Sequence, residues 1–160
     1  MKGFWYKEWQ EGRRFILKIK PGQRLKQCLS QFVADRGIKY AVITSAVGSV
    51  TQVHLRGIKA GARLPITEAR MNQHLIDGPL ELVGLEGNLV PDESGHIDCH
   101  LHILVAKSSG EVLGGHLFDA EVFASCEILL SEALVDGIER QASKSGGVPT
   151  IFIQDEESQP

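Results

Sequence analysis

CHLHILVAKSSGEVLGGHL, residues 99–117, is the stretch from which both the fold and the chemistry of this chain can be read. His100 and His102 are two apart, so on a strand both project from one face while Cys99 and Leu101 point to the other. Ser108-Ser109-Gly110 fits a three-residue hairpin loop, a type I turn followed by a left-handed residue, the position that glycine tolerates best. A loop of that length pairs Lys107 with Glu111 and therefore His102 with His116, which puts all three imidazoles on one face. A loop one residue shorter or longer would send His116 to the other side.

Directly opposed residues have Cβ atoms ~4.5–5.5 Å apart, and same-face neighbours along a strand are ~6.6 Å apart, so three rings can converge on one ion at ~2.0–2.1 Å. Three neutral nitrogens without a fourth protein ligand describe an open centre for zinc or a similar divalent cation, with a position left for water or substrate. Gly114 and Gly115 fit the cofactor side of such a site: absent side chains leave room above the ion or permit a bulge that aims His116. The competing reading of the His100/His102 pair is an exposed polar strand face, and His116 at matching parity is what favours the metal. Of the other histidines, His54 and His74 could face the same cavity, whereas His96 falls in a turn and is read as exposed.

No catalytic residue is identified. Glu81, beside an apolar strand, is a candidate partner for a metal-bound histidine or a ligand-facing acid, and an ion pair with Arg56 is the structural alternative. Glu81 and Glu86 are five apart and lie on opposite faces of any regular strand, which argues against an acid–base pair. Ser45 and Ser49 near Gly48 could flank a pocket, or are turn chemistry at a strand break. Nucleophile-elbow, Gly-rich phosphate-loop and dinucleotide-binding motifs do not occur.

Outward from the histidine segment, RFILKIK (14–20) alternates like a half-buried strand and ends at Pro21-Gly22. Leu25, Cys28, Leu29, Phe32 and Val33 form an apolar helical stripe that stops at Gly37. KYAVITSAV (39–47) is a continuous strand run that Gly48 is expected to break before SVTQVHLRG (49–57) alternates again. A Gly/Pro-punctuated loop (57–67) leads to strands at 72–78, 80–90, 96–107 and 111–118. Periodicity leaves EVFASCEILLSEALVDGIERQ (121–141) open between strand and helix, and VPTIFI (148–153) reads as a last strand. The expected class is α+β, one domain with a mostly antiparallel or mixed sheet and few helices. An aromatic and basic arm (1–12) precedes the domain (13–153), and the polar tail (154–160) reads as disordered.

The chain has 160 residues, 42% apolar and 23% charged, about the size of one ordinary domain, with a net charge of −3 that does not suit a wholesale polyanion binder. Charge is nevertheless uneven: residues 1–40 carry ten basic and three acidic side chains. That excess reads as a solvated face neutralised by an acidic surface, with a phosphate-binding patch as the alternative. The aromatics Phe4, Trp5, Tyr6, Trp9 and Phe15 suit packing of the arm onto the body or a neighbouring subunit, or stacking on bases. Cys28, Cys99 and Cys126, an odd number without CxxC spacing, are expected to be reduced, buried thiols. No apolar run reaches the ~18–20 residues of a membrane span and the start shows no leader pattern, so no membrane and a cytoplasmic location are expected.

The order of RFILKIKPGQRL, LKQCLSQFVADRGI, AVITSAVGSV, VHLRG, GPLELVGLEGNL, HLH and EVLGGHLFDAEVFASCEILL resembles the plants-and-prokaryotes-conserved (PPC) domain family in its free-standing bacterial form. The resemblance implies a mostly antiparallel sheet, a strand over 121–131, assembly as a homotrimer, and a fold related to that of α-acetolactate decarboxylase, a three-histidine metal enzyme. It implies a metal held by His100, His102 and His116, and keeps lyase-type or other metal-assisted chemistry on a small ligand open. Plant members join the domain to an AT-hook and associate with DNA; no such hook occurs in this sequence. The expected function is therefore a divalent-metal site that binds or acts on a small ligand, with a DNA-associated regulator using the basic N-terminal face as the alternative.

Overall fold

Apolar residues at every second position build most of this molecule, because each buries one face of a strand and leaves the next residue outside. The computed structural model describes residues 3–143 and 146–154. It contains β1 (Gln10–Ile19), α1 (Leu25–Asp35), β2 (Ala41–Ile58), β3 (Met71–Ile76), β4 (Leu80–Pro91), β5 (Ile97–Ala106), β6 (Val112–Leu134), β7 (Ile138–Ala142) and β8 (Pro149–Ile153). The first six strands form one antiparallel sheet in the order β1-β6-β5-β4-β2-β3, and β7 and β8 pair separately. β6 also pairs with β2, so the sheet closes on itself through β2, β4, β5 and β6. Leu82, Leu85, Leu89, Leu101, Ile103, Val105, Leu117 and Val122 point into the core of this closed sheet. The residues between them form its outer surface.

The apolar stripe of α1 buries Leu25, Leu29 and Val33 in the same core, packed against β5 and β6. The helix has no side-chain cap of its own at Arg24. Asp119 of β6 serves instead, accepting from the Lys26 backbone N–H at 3.1 Å and from Arg24 Nε at 3.0 Å. Gly37, at φ 62°, follows the helix end where the sequence put it.

Two expected boundaries are absent. The two strands expected over 39–57 are the single strand β2 (Ala41–Ile58), and those expected at 111–118 and 121–131 run together in β6 (Val112–Leu134), so the ambiguous segment is strand up to Leu134. Bulges bend the β2–β6 ladder where the sequence suggested an end, with register shifts at Ile43/Ser45, Gly48/Val50, Thr51/His54 and His54/Leu55. Gly48 is therefore a site of close approach and not a strand breaker. At φ 150°, a Cβ there would lie 2.2 Å from Ser125 O and 2.7 Å from the Cys126 Cα.

The arm enters the sheet earlier than expected, since β1 begins at Gln10. Of the tail, 155–160 lie outside the described residues, while the Gln154 N–H donates to Gly137 O at 2.7 Å. Cys99 and Cys126 are buried, and burial pushes their thiols up to about 12 and about 11. Cys28 departs from expectation in being only half-buried. No helix among the described residues is long and apolar enough to cross a membrane.

Gly48→Ala places a methyl group against the β6 backbone in a conformation that side chains avoid. It is expected to lower stability by about 3 kcal/mol, read as a fall in the urea midpoint with an unchanged m-value.

Candidate metal centre

β5 buries Cys99, Leu101, Ile103 and Val105, so His100 and His102 stand on the outer surface. The hairpin closes as expected from its loop: the Lys107 N–H donates to Glu111 O at 2.9 Å, the Gly110 N–H to Lys107 O at 2.8 Å, and Gly110 has φ 85°. His102 consequently pairs with His116. Ring centroids are 5.2 Å apart for His100 and His102, 5.2 Å for His100 and His116, and 5.5 Å for His102 and His116. One ligand nitrogen from each ring lies within 4.8 Å of the others.

His100 and His116 are half-buried and His102 is exposed. Burial lowers the His116 pKa to about 4, assisted by His100, His102, Lys26 and Arg56. His100 is lowered by burial, then by Arg140 and His102, with Asp98 acting in the opposite sense. Both rings are thus neutral near pH 7 and keep a lone pair for a cation.

These residues fit a divalent metal. A tetrahedral ion at ~2.0–2.1 Å from each nitrogen needs them ~3.4 Å apart, which asks the rings to close by roughly an ångström through side-chain rotation. An all-imidazole donor set suits zinc, copper, iron or nickel better than calcium or magnesium. His100, His102 and His116 would hold the ion, leaving its remaining positions on the outer side of the sheet.

The surroundings include residues that the sequence reading did not place there. Asn88 lies opposite His100 and Glu86 opposite His102. A register shift between Leu82 and Gly84 brings Glu86 to the same outer face as Glu81, so the expectation of opposite faces fails because β4 is not regular there. Arg140 reaches this face from β7, its side chain 4% exposed, with Nη2 donating to Asn88 Oδ1 at 2.5 Å and Nε 3.2 Å from Asp98 Oδ2. Neither Asn88 nor Arg140 carries a motif; both are found only through long-range pairing.

Glu81 lies opposite Ala106, four residues along β5 from His102, and is not brought to the three rings. Arg56 pairs with Glu68 instead. It is the next position of the ladder in which Leu55 pairs with Leu117, on the outer face beside His116. Gly114 lies opposite Leu104, and a Cβ on it would meet Ile103 O at 2.3 Å, so close strand approach already requires glycine there; Gly115 lies opposite Ile103. His54 stacks on Phe118 at 4.6 Å and bonds Gln73 Oε1 at 3.0 Å, His74 pairs with Leu55 on β3, and His96 is exposed in its turn beside Ser94. Ser49 Oγ accepts from the Ala124 N–H at 3.1 Å, and Ser45 lies exposed opposite Leu129. On the basic N-terminal face, Arg13 pairs with Glu132 at 2.8 Å, Arg14 with Glu11 at 3.4 Å and Arg24 with Asp119 at 3.0 Å.

In metal-free protein the unfolded chain takes up the His116 proton first, because the folded pKa lies below the unfolded value. This contribution to stability is full above pH ~6.5 and is lost as pH falls toward about 4. Denaturation midpoints in chelator at pH 7.5 and pH 4.5 should therefore differ less in His116→Gln than in wild type.

A model of the Plants and Prokaryotes Conserved (PCC) domain matches residues 6–134. The bifunctional protein GlmU of Synechococcus sp. strain JA-3-3Ab is 31% identical over 89% of this chain, which spans about a fifth of that relative's length (21%). Among solved structures, a metal-containing protein from Archaeoglobus fulgidus is 30% identical with a TM-score of 0.78, covering 95% of this chain and 99% of that one. A plant- and prokaryote-conserved protein from Pyrococcus horikoshii is 26% identical with a TM-score of 0.77, covering 88% and 92%. Fold likeness alone extends to a candidate DNA-binding protein from Bacteroides thetaiotaomicron (21% identity, TM-score 0.75, covering 91% and 98%). It extends also to acetolactate decarboxylase from Bacillus subtilis subspecies spizizenii (14%, TM-score 0.50, covering 78% and 54%).

Proposed function

The chain belongs to the Plants and Prokaryotes Conserved domain family, and from that premise we propose that it is a divalent-metal protein whose centre is His100, His102 and His116. The observation that carries this reading is the convergence of three ligand nitrogens within 4.8 Å on one face of a β-hairpin. The metal-containing relative from Archaeoglobus fulgidus, 30% identical over nearly the whole chain, supports it. Zinc is the ion we assign, because three neutral imidazoles with open positions match its catalytic type of site. When bound it supplies Lewis acidity toward a carbonyl or oxyanion of a small ligand. The histidines orient the site, while Asn88, Asp98 and Arg140 brace the β4–β5 surface beside His100.

We further assign self-association, as a homotrimer, to the outer surface around the centre. Leu104, Val112 and Phe118 there are about half exposed, as are Phe4, Trp5 and Trp9 of the arm, a large apolar area for a lone chain to leave in water. DNA binding has less support: three of the ten basic residues of the N-terminal segment, Arg13, Arg14 and Arg24, are paired with carboxylates, and the sequence has no AT-hook.

Protein purified without a histidine tag is expected to carry close to one zinc per chain by elemental analysis, and His102→Ala to lose at least ~90% of it, as removal of one of three ligands should. Chelator should lower the melting temperature of wild type and leave His102→Ala unmoved. Equal, negligible metal in both would overturn the reading.

A further inference from the structure

Among the described residues, two buried side-chain polar atoms have no hydrogen-bond partner, and both are guanidinium nitrogens on the flanks of the histidine cluster: Nε of Arg56 and Nε of Arg140. Buried donors are seldom left in this state, so each needs an account. Arg140 has one within the protein. Its Nε lies 3.2 Å from Asp98 Oδ2 and its Nη2 is bonded to Asn88, so its charge is already answered.

Arg56 is different. Its ion pair is to Glu68, whose side chain is 80% exposed and competes with water, a weak arrangement. It stands beside His116 on the outer face, one strand from the cluster and on the side away from His102. A metal with three neutral ligands would bring its whole charge into the same place. Two carboxylates answer part of it: Asp98, already engaged by Arg140, and Glu86, which stands next to His102 as Arg56 stands next to His116, so on the Arg56 side of the cluster the ion's charge has no carboxylate beside it but Glu68. A neutral ligand could take a hydrogen bond from Arg56 but would leave both charges uncancelled. An oxyanion can place one oxygen on the ion and offer another to the guanidinium, whose forked donors match that geometry.

We propose that the ligand of this centre is a small oxyanion, a carboxylate or a phosphate monoester, and that Arg56 is the residue that selects for its charge. The proposal rests on the three-histidine metal reading and names the ligand class for that site. Glu68 holds Arg56 in place when no anion is bound.

The test uses the full chain loaded with cobalt(II), whose visible spectrum reports the ligand in the open position. Propionate, methyl phosphate and the neutral isostere propionamide are titrated into wild type, Arg56→Gln and Arg56→Lys. In wild type at least one of the two anions should reach half-saturation at a concentration roughly tenfold or more below propionamide, the size expected of one charge-assisted hydrogen bond. Whichever anion does so identifies the source of the oxyanion. Arg56→Gln should weaken that anion roughly tenfold and leave propionamide unmoved, keeping only the preference that the ion's own charge supplies, while still binding one cobalt per chain with an unchanged ligand-free spectrum; Arg56→Lys should keep part of the difference. Cobalt bound stoichiometrically, with anion affinity the same in wild type and Arg56→Gln or no better than that of propionamide, would overturn the proposal alone. Failure of wild type to bind cobalt would overturn the metal reading and this proposal with it.

Discussion

The pairing of His102 with His116 across a three-residue turn is the constraint on which the rest depends. Core and site share it. The same register that lines up the imidazoles buries Leu101, Ile103, Val105 and Leu117 on the inner face. A slip of one residue would drive His100 and His102 into the core and those apolar side chains into water. Burial of each is worth about 1.5–3 kcal/mol, so the slipped hairpin has no means of competing. The three rings stay together because the hydrophobic core holds the strands that carry them.

Local signals made much of this legible before any coordinates. Alternation named β5 and the first half of β6, a helical stripe named α1, and the Ser108-Ser109-Gly110 loop gave the parity of His116. What escaped reading depends on distant parts of the chain. Closure of the sheet needs Ala41 beside Glu132 and Leu55 beside Leu117, and neither partner is marked in the sequence. The bulge at Val83 that brings Glu81 and Glu86 to one face leaves no residue signature, so an argument from regular strands misplaced Glu86. Gly48 misled for a related reason: a glycine that admits another backbone looks the same in sequence as one that ends a strand. Arg140 belongs to a hairpin after the main sheet, where nothing in the order of residues points back to Asn88.

The three histidines lie on the outside of a closed sheet, with His102 exposed to water. Half-burial of His100 and His116 already lowers their basicity, and the surrounding apolar side chains Leu104, Val112 and Phe118 would deepen that environment once covered. If the proposed self-association uses this face, a second copy over it would remove the histidines from bulk water and strengthen every electrostatic interaction among them. Arg13, Arg14 and Arg24 of the N-terminal face are paired with carboxylates of the same chain, whereas Arg56, paired through one nitrogen with the exposed Glu68, keeps a buried Nε without a hydrogen-bond partner.

The arrangement also couples the two ligands that the reading requires. Burial first, and then the charges around them, Arg56 for His116 and Arg140 for His100, lower the proton affinity of these rings, and the same charges would oppose the arrival of a metal ion. Neutral histidines add no charge to offset it. The proposed oxyanion, between a metal and Arg56, would cancel charge on both sides at once, so its binding would relieve the repulsion that metal binding would create. Because coupling between two ligands is reciprocal, the factor by which the anion tightens the metal equals the factor by which the metal tightens the anion. On the proposed assignment Arg56 would weaken metal binding when the site is bare and strengthen it when the anion is present, which would account for an arginine, and not a carboxylate, beside His116.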